Sequence, residues 1–225
     1  SYFYDAGQDY VGGKYVQLIK PAANVTIFAR YTDNPCKTFS TDSWSTIKDN
    51  LETDSSYYAI GCEKEVLIGS NSYTVRVANN TTPAVCNTEG YSQTACGFVI
   101  EFEDIITTNV MNSTATNVGG WPATEMRTYL NGTFYNSLPS DLQAAIKPTR
   151  VISGHGTNDA DNFTSTDNLY LLSGVEVFGS DDYDTAAGTT TQLEYYNNSS
   201  NSKIKQYNSS NSLWWLRTAY SDSNK

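Results

Sequence analysis

Basic residues are scarce in this sequence. Its 225 residues include 14 Lys and Arg against 24 Asp and Glu, a formal net charge of −10 at neutral pH. This charge repels a phosphate backbone and an anionic membrane surface, so we exclude nucleic acid as a partner. Long apolar runs are also missing. None approaches the roughly 20 residues of a membrane-spanning helix, which argues against direct membrane insertion.

Histidine is almost absent, and this restricts catalysis. His155 is the only one, and the strand–Gly-x-Ser-x-Gly–helix turn of an elbow-type hydrolase is missing. Without a general base poised near neutral pH, we predict that the protein is not an enzyme. A carboxylate-dependent hydrolase is the second alternative, with Glu101, Glu103 and Asp104 as candidates by residue type alone. Glu101 and Glu103 alternate on a predicted strand, so we expect both to face solvent.

Cysteine is limited to Cys36, Cys62, Cys86 and Cys96. Four cysteines allow three pairings. We favour Cys86–Cys96, which closes a short loop, and Cys36–Cys62 as the other pair; four reduced, buried thiols are the alternative. A zinc site is disfavoured because no C-x-x-C motif is present and the single histidine is distant.

Acidic residues cluster in two loops that could supply oxygen ligands. Asp159, Asp161 and Asp167 are calcium candidates, and a second group lies at 181–184. Calcium takes six to eight oxygen ligands, but neither cluster has the spacing of an EF-hand. The alternative is that these are ordinary solvated loop acids. We therefore predict no cofactor, with calcium as a possible exception.

Tyrosine and neutral polar residues are abundant. Tyr occurs 17 times and hydrophobic residues make up 39% of the chain, which argues against disorder. Tyrosine gives a large contact area at low entropic cost, and Ser, Asn and Gly give adaptable hydrogen bonds. This composition is typical of a secreted protein that recognises a ligand without transforming it.

Hydrophobic periodicity predicts an α+β fold of mostly antiparallel strands, a few short helices and long C-terminal loops. Alternating segments predict strands in "KYVQLIK", "NVTIFARY", "YYAIGC", "EVLIG", "SYTVRVAN", "GFVIEFEDIIT" and "NLYLLS", with a hairpin turn at "GSNS" (69–72). Trp44, Ile47 and Leu51 predict a helix that begins after a cap at Thr41 or Asp42.

Residues 117–148 carry a second helical pattern. Pro122 suits a first helical position, and helical spacing continues until "NG" (131–132), which predicts a stop. Ser140 and Gln143 form a capping-box pattern that opens a helix from 141 to 147, ended by Pro148.

Several motifs occur together in a recognisable order: "NVGGW", "MRTYLNGTFYNSLP", "LYLLSGVEVFGS", "NSKIKQYN" and "WWLR". With them the chain resembles a bacterial domain-of-unknown-function family of surface proteins in gut Firmicutes and related bacteria without cell walls. The resemblance covers the chain from about Trp44. We predict an N-terminal β segment (1–40) and a domain over 41–225.

The resemblance implies a C-type-lectin-like fold, because the family's WWLRS-type motif is similar to that of lectin-like proteins diversified by retroelements. The implied fold is also similar to that of formylglycine-generating enzymes. Those enzymes need C-terminal cysteines, and no cysteine occurs in this chain after Cys96. Thr218 replaces the family's Ser. Family members continue beyond "WWLR", so we expect that this chain is truncated and that an open strand edge permits self-assembly.

The "WWLR" segment is interpreted as a strand that supports a recognition surface. On a strand, Trp214 and Trp215 would face opposite sides, and Arg217 could pair with Glu176. We predict ligand-binding residues at Trp215, Arg217, Tyr220, Tyr183 and Asp182.

The sequence favours a secreted or cell-surface adhesion module that recognises a glycan or protein on a host or neighbouring cell. The first alternative is a structural subunit of a pilus, fibre or surface layer.

Overall fold

A computed structural model describes residues 35–220 of the chain. The predicted strands "KYVQLIK" and "NVTIFARY" lie outside the described residues. Within them, the protein is an α+β structure of antiparallel sheets and short helices, as predicted.

The helices are short and separated by loops. The α-helices are α1 (Pro35–Thr41), α2 (Trp44–Thr53), α3 (Glu125–Tyr129), α4 (Tyr135–Ser137), α5 (Ser140–Ala145), α6 (Gly174–Phe178) and α7 (Glu194–Asn197). Single 3-10 turns occur at Ala84–Asn87, Trp121–Ala123 and Ala187–Thr189, and a π turn at Leu130–Phe134.

The strands form three antiparallel sheets. They are β1 (Glu63–Ile68), β2 (Asn71–Asn79), β3 (Val99–Phe102), β4 (Thr149–Ser153), β5 (Phe163–Asp167), β6 (Lys205–Tyr207) and β7 (Ser210–Ser212). The strand orders are β1-β2-β3, β4-β5 and β6-β7. The predicted hairpin connects β1 to β2, where Ile68 pairs with Asn71 across a two-residue turn. Gly69 has φ +62° there, a conformation that glycine adopts without steric cost.

Helix α2 forms where predicted, but its cap differs. Trp44 and Ile47 are buried on one face, as their spacing indicates. The N-cap is Ser43, whose side chain accepts a hydrogen bond from the Thr46 amide, and not Thr41 or Asp42. Thr41 instead ends α1, a helix that the sequence analysis did not predict.

The predicted helix stop at 131–132 is wrong. Gly132 is not in the left-handed conformation; the chain passes through the π turn and continues into α4. Asn131 explains the irregularity, because its side chain binds a neighbouring loop: it donates to the Leu169 carbonyl at 2.8 Å and accepts from the Asn168 amide at 2.8 Å. The π turn contains one residue more than a turn of α-helix, and this extra residue accommodates the two contacts.

The predicted capping box at Ser140 is also wrong. Helix α5 starts at Ser140 with Pro139 as N-cap and no side-chain cap, and Gln143 donates to the Leu138 carbonyl instead. A complete capping box occurs at α6, between Ser173 and Glu176. Two predicted strands, "YYAIGC" and "NLYLLS", form turns and irregular chain.

Both favoured disulfides are present, Cys36–Cys62 and Cys86–Cys96. They favour an oxidising, extracellular environment for the protein. No helix among residues 35–220 is long and apolar enough to cross a membrane.

The buried apolar residues form three clusters. The largest joins α1, α2 and α5 to the first sheet; the second surrounds α6 and α7 and receives Trp214 and Leu216; the third surrounds Trp121, Met126 and Val151. The second cluster thus packs against the C-terminal segment.

Candidate ligand-binding site

The "WWLR" segment is not a strand. Residues 213–217 form an irregular segment that follows β7. Trp214 is partly buried against the second cluster, whereas Trp215 is 41% exposed and Arg217 is 3% exposed. Trp215 and Arg217 therefore do not share a face, which corrects the expected strand alternation.

Arg217 is fixed by a buried carboxylate, and the predicted pairing with Glu176 is present. Arg217 Nη1 and Nη2 each donate to one Glu176 oxygen at 2.6 Å. Thr94 and Thr190 also donate to this carboxylate. Burial alone would raise the pKa of Glu176, but Arg217 and these donors hold it below its usual value. The pair is therefore charged and fully enclosed.

This ion pair anchors the segment that follows it. The Arg217 amide donates to the Leu172 carbonyl at 2.9 Å, and Arg217 Nη1 donates to the Leu171 carbonyl at 2.8 Å. Thr218 Oγ1 accepts from the Gly174 amide at 2.9 Å and donates to Asp184. Residues 217 and 218 are thus bound to the start of α6, so the position of residues 215–220 is well determined.

A small polar pocket lies against the anchored segment. It has a volume of about 100 Å³ and is lined by residues 215–220, by 111–112 and by 116–117, 120–121 and 124. Its lining combines backbone groups and an amide with the apolar Met111 and Trp121. Such mixed walls suit a ligand that has both hydroxyl groups and apolar faces.

Asn117 supplies an unsatisfied acceptor at this polar pocket. Its Nδ2 donates to the Tyr220 carbonyl at 3.0 Å and to Thr157 Oγ1 at 3.2 Å. Because the Tyr220 carbonyl can only accept, the amide orientation is fixed. Asn117 is 6% exposed, and its Oδ1 has no hydrogen-bond partner among the described residues. An unpaired buried carbonyl is costly, so Asn117 is held in place by its two donor contacts at some expense of stability.

Exposed aromatic rings surround the polar pocket. Tyr220 lines it, and the Tyr183 ring lies 4.1 Å from the Tyr220 ring between centroids. Trp215, Tyr183 and Tyr220 are each between 41% and 58% exposed. One pocket is therefore lined by Trp215, Arg217 and Tyr220, which were all predicted from the sequence. Tyr183 does not line it but packs against the Tyr220 ring. Asp182 is exposed beside Tyr183, without a contact to the pocket lining.

Sequence reasoning missed Asn117, although a signal existed in the "NVGGW" motif. Gly120 in this motif has φ +51°, and a Cβ atom there would lie 2.6 Å from the Phe163 ring. Only glycine fits this turn, which places Asn117 and Trp121 on the same pocket.

The calcium candidates do not form a metal site. Asp167 is buried and accepts from Trp121 Nε1 at 2.9 Å, Ser165 Oγ at 2.8 Å and Arg127 Nε at 2.6 Å. Asp159 accepts from the Gly119 amide, and Asp161 is exposed. Throughout residues 35–220, no group of three His, Cys, Asp or Glu side chains could hold a metal ion. Asp159 and Asp167 thus accept hydrogen bonds from protein donors, and Asp161 is exposed to solvent.

The expected shared solvent face of Glu101 and Glu103 is also wrong. Glu101 has an 8% exposed side chain and accepts from Arg76 Nε at 3.0 Å, Lys205 Nζ at 3.0 Å and the Tyr196 hydroxyl at 2.8 Å. Glu103 is 38% exposed. Glu101 is thus enclosed by two cations and a hydroxyl donor, whereas Glu103 reaches solvent.

A larger apolar groove lies on the other side of Trp215. It has a volume of about 1060 Å³ and is lined mainly by side chains of the first cluster, by β3 and by residues 213–215. Trp215 lines both the apolar groove and the polar pocket, and so separates two chemically different surfaces.

The C-terminal part of the chain, which carries this site, matches a described family over residues 98–225: "Domain of unknown function (DUF6273)". The match covers more than half of the chain. The protein belongs to the DUF6273 family. Residues 44–97, which the resemblance was expected to include, lie outside the matched DUF6273 region. No curated protein and no solved structure matches the chain.

Proposed function

We propose that this DUF6273 protein is a secreted or cell-surface, non-catalytic module that binds a glycan. The observation that carries this proposal is that the exposed rings of Trp215 and Tyr220 line one small pocket together with Asn117, while the Tyr183 ring packs against Tyr220. Sugars present apolar ring faces and hydroxyl groups side by side. Aromatic rings contact the first, and polar side chains of the lining, such as Thr116 and Thr124, can hydrogen-bond the second.

The site is suited to binding rather than to chemistry. Asn117 does not titrate, and Arg217 is neutralised by Glu176. The carboxylates of the second alternative, Glu101 and Asp104, line the apolar groove and not the polar pocket. These placements support an adhesion role. We further propose that the antiparallel sheets and short helices are a C-type-lectin-like fold, as in the bacterial surface proteins that the sequence resembles.

A glycan array probed with the full chain tests the proposal. We expect binding to a limited set of neutral glycans, since the protein is strongly acidic. In calorimetry with a glycan from that set, Trp215→Ala should weaken binding about tenfold, or roughly 1.4 kcal/mol. Asn117→Ala should also weaken it. Phe178→Ala removes an equally exposed ring outside the pocket and should leave the affinity unchanged.

A blank array would contradict glycan binding. Filaments seen by electron microscopy in the same preparation would then favour the structural-subunit alternative.

A further inference from the structure

The Cys86–Cys96 disulfide closes a loop that is almost entirely irregular. We call residues 86–96 the disulfide loop. From residue 88 to residue 98 the chain forms only turns and irregular structure, yet Ser92, Thr94 and Ala95 are each 0% exposed. Because no helix or strand fixes this part of the backbone, its buried position depends on the sulfur bridge and on contacts with other parts of the chain.

Thr94 connects the disulfide loop to the Glu176–Arg217 ion pair. Its Oγ1 donates to the Glu176 carboxylate and accepts from Arg217 Nη2 at 3.4 Å. Since the single hydroxyl proton of Thr94 goes to Glu176, the Ser92 hydroxyl, 2.8 Å away, is the donor between the two hydroxyl groups. One hydroxyl of the disulfide loop thus contacts both charged partners, and the ion pair in turn fixes residues 217 and 218 beside the polar pocket.

The disulfide loop also contributes to the apolar packing of the C-terminal segment. Ala95, the residue after Thr94, is a member of the second cluster, which receives Trp214 and Leu216. Leu216 lines the polar pocket next to Arg217. The loop therefore supports the segment through a polar and an apolar residue that are adjacent in sequence.

The Cys36–Cys62 disulfide lies in a different environment. Cys62 is buried in the first cluster and Cys36 packs against it, whereas Trp214 and Leu216 pack against the second cluster. The two bonds therefore stabilise different parts of the molecule, and Cys36–Cys62 provides a matched control for Cys86–Cys96.

Other contacts hold the chain beside the buried part of the disulfide loop. Arg150 donates to the Tyr91 carbonyl from Nε at 2.9 Å and from Nη2 at 2.6 Å. After the loop, Asn79 Nδ2 donates to the Gly97 carbonyl at 2.8 Å. These bonds do not involve the sulfur atoms, so opening the bridge should loosen the loop locally and leave the rest of the fold in place.

We propose that the Cys86–Cys96 disulfide is a redox-sensitive clamp that holds residues 215–220, and with them the polar pocket, in position. A dithiol reductant passes two electrons and two protons to the bridge, which becomes two thiols while the dithiol becomes a disulfide. The opened loop samples more conformations, so Thr94 leaves the ion pair more often and the following segment loosens. This loosening is a property of the pocket itself and does not depend on which ligand binds there.

Hydrogen–deuterium exchange of the full chain, read by mass spectrometry, tests the clamp. The Arg217 amide donates to the Leu172 carbonyl, so a peptide covering 213–220 reports on the segment. In the Cys86→Ser/Cys96→Ser double variant this peptide should exchange about tenfold faster than in the parent, and peptides from β1 should change less than about twofold. Unchanged exchange at 213–220 overturns the proposal.

The Cys36→Ser/Cys62→Ser double variant is the control. Peptides from α1 and α2 should exchange faster, whereas the peptide covering 213–220 should stay within about twofold of the parent. If both double variants accelerate exchange at 213–220 equally, the effect is a general loss of stability and the proposal is wrong.

Reduction is tested in that control variant, where Cys86–Cys96 is the only bond left for dithiothreitol to reduce. We expect dithiothreitol to raise exchange at 213–220 about tenfold and reoxidation with oxidised glutathione to restore the slow rate. No response to dithiothreitol overturns the redox sensitivity, including where the bond resists reduction.

Thr94 variants test the route of the coupling and keep both bridges, so they remain informative if loss of a bridge prevents folding. Thr94→Val removes the hydroxyl that contacts Glu176 and Arg217. It should accelerate exchange at 213–220 in the oxidised protein and reduce the further response to dithiothreitol to less than about twofold. Thr94→Ser keeps the hydroxyl and should behave like the parent. A response in Thr94→Val as large as in the parent would show that the coupling does not pass through Thr94 and would overturn the proposal.

Discussion

Two buried charge clusters hold the C-terminal part of this protein, and they differ in how far water can reach them. Glu176 and Arg217 have side chains that are 0% and 1% exposed. Glu101, Arg76 and Lys205 are 5–8% exposed, and Glu103, 3.8 Å from Arg76, is 38% exposed. The first cluster is a closed pair, whereas the second has two cations for one buried acid and reaches the surface.

The difference indicates distinct tasks. The closed pair fixes a single position of residues 217–218 beside the polar pocket, because every alternative leaves a charge buried without a partner. In the open cluster, Lys205 Nζ also donates to the Phe102 and Glu103 carbonyls at 2.7 and 3.0 Å. This cluster links β6 to the end of β3. Because it reaches the surface, an exposed acid such as Glu103 can move to replace a partner that one of its cations has lost.

Removing the acid of the closed pair should have the largest effect. Glu176→Ala leaves Arg217 buried and unpaired, and we expect a loss of about 3–5 kcal/mol in the free energy of unfolding. Urea denaturation measures it. Glu52→Ala, at an exposed position of α2, is the control and should change stability by less than about 0.5 kcal/mol.

The double variant Glu176→Leu with Arg217→Met keeps the expectation testable if the single variant does not fold. It should recover most of the lost stability, since neither charge remains. A double variant as unstable as Glu176→Ala would show that the charges themselves are required.

Removing the acid of the open cluster should cost less. Glu101→Ala takes a partner from Arg76, Lys205 and Tyr196, but Glu103 is near enough to replace it for Arg76. We expect a loss of about 2–3 kcal/mol in the same denaturation experiment. A loss equal to or greater than that of Glu176→Ala would remove the distinction between the clusters.

The stability contributed by Glu176 and that contributed by Glu103 should change in opposite directions with pH. Arg217 overcomes the effect of burial and lowers the pKa of Glu176, whereas burial and nearby Glu63 raise the pKa of Glu103. The stability from Glu176 is full above its unfolded pKa near 4.5 and is lost as the pH falls through the lower folded pKa. Glu103 binds its proton more readily when folded, so its contribution weakens as the pH rises from 4.5 through its folded pKa.

Stability measured by urea denaturation between pH 3 and 7 separates the two responses. In the Glu176→Gln protein, stability should fall less steeply below pH 4.5 than in the parent. In the Glu103→Gln protein, stability should still fall below pH 4.5 as it does in the parent. Parallel pH profiles for all three proteins would contradict the assignment.

The smallest expected effect concerns Thr218. Its hydroxyl joins the Gly174 amide to Asp184, and serine keeps that hydroxyl. Thr218→Ser should therefore change stability by less than about 0.5 kcal/mol, and Thr218→Val should lower it by about 1 kcal/mol. Thermal denaturation resolves the two, and equal effects would show that the hydroxyl contributes nothing.

Local patterns predicted the features that depend on few residues. The amphipathic spacing of α2, the two-residue hairpin turn and the Cys86–Cys96 disulfide need only neighbouring positions or a short loop. Cys36–Cys62 then followed as the remaining pair. The Arg217–Glu176 pair was one of two possibilities for this arginine, the other being stacking on the Trp215 face, and the structure shows the pair. Trp215, Arg217 and Tyr220 were predicted by residue type and by motif and line one pocket; that they bind a ligand stays a prediction.

The errors arose where distant contacts override local preference. Asn131 and Gly132 remain helical because Asn131 binds a loop 37–38 residues away in sequence. Glu101 alternates like a surface residue, yet Arg76 and Lys205 enclose it. Asn117 was missed because its partner, the Tyr220 carbonyl, is 103 residues away in sequence, although the glycines of "NVGGW" indicated a tight turn beside it.

The Cys36–Cys62 bond determines how the molecule would carry tension. A pulling force applied at Pro35 passes through the sulfur bridge to Cys62 and enters the first sheet at β1, one residue further. The residues between the two cysteines, which include most of α1 and all of α2, remain outside the load path. A surface adhesin under shear would thus keep both helices unstretched until reducing conditions open the bridge.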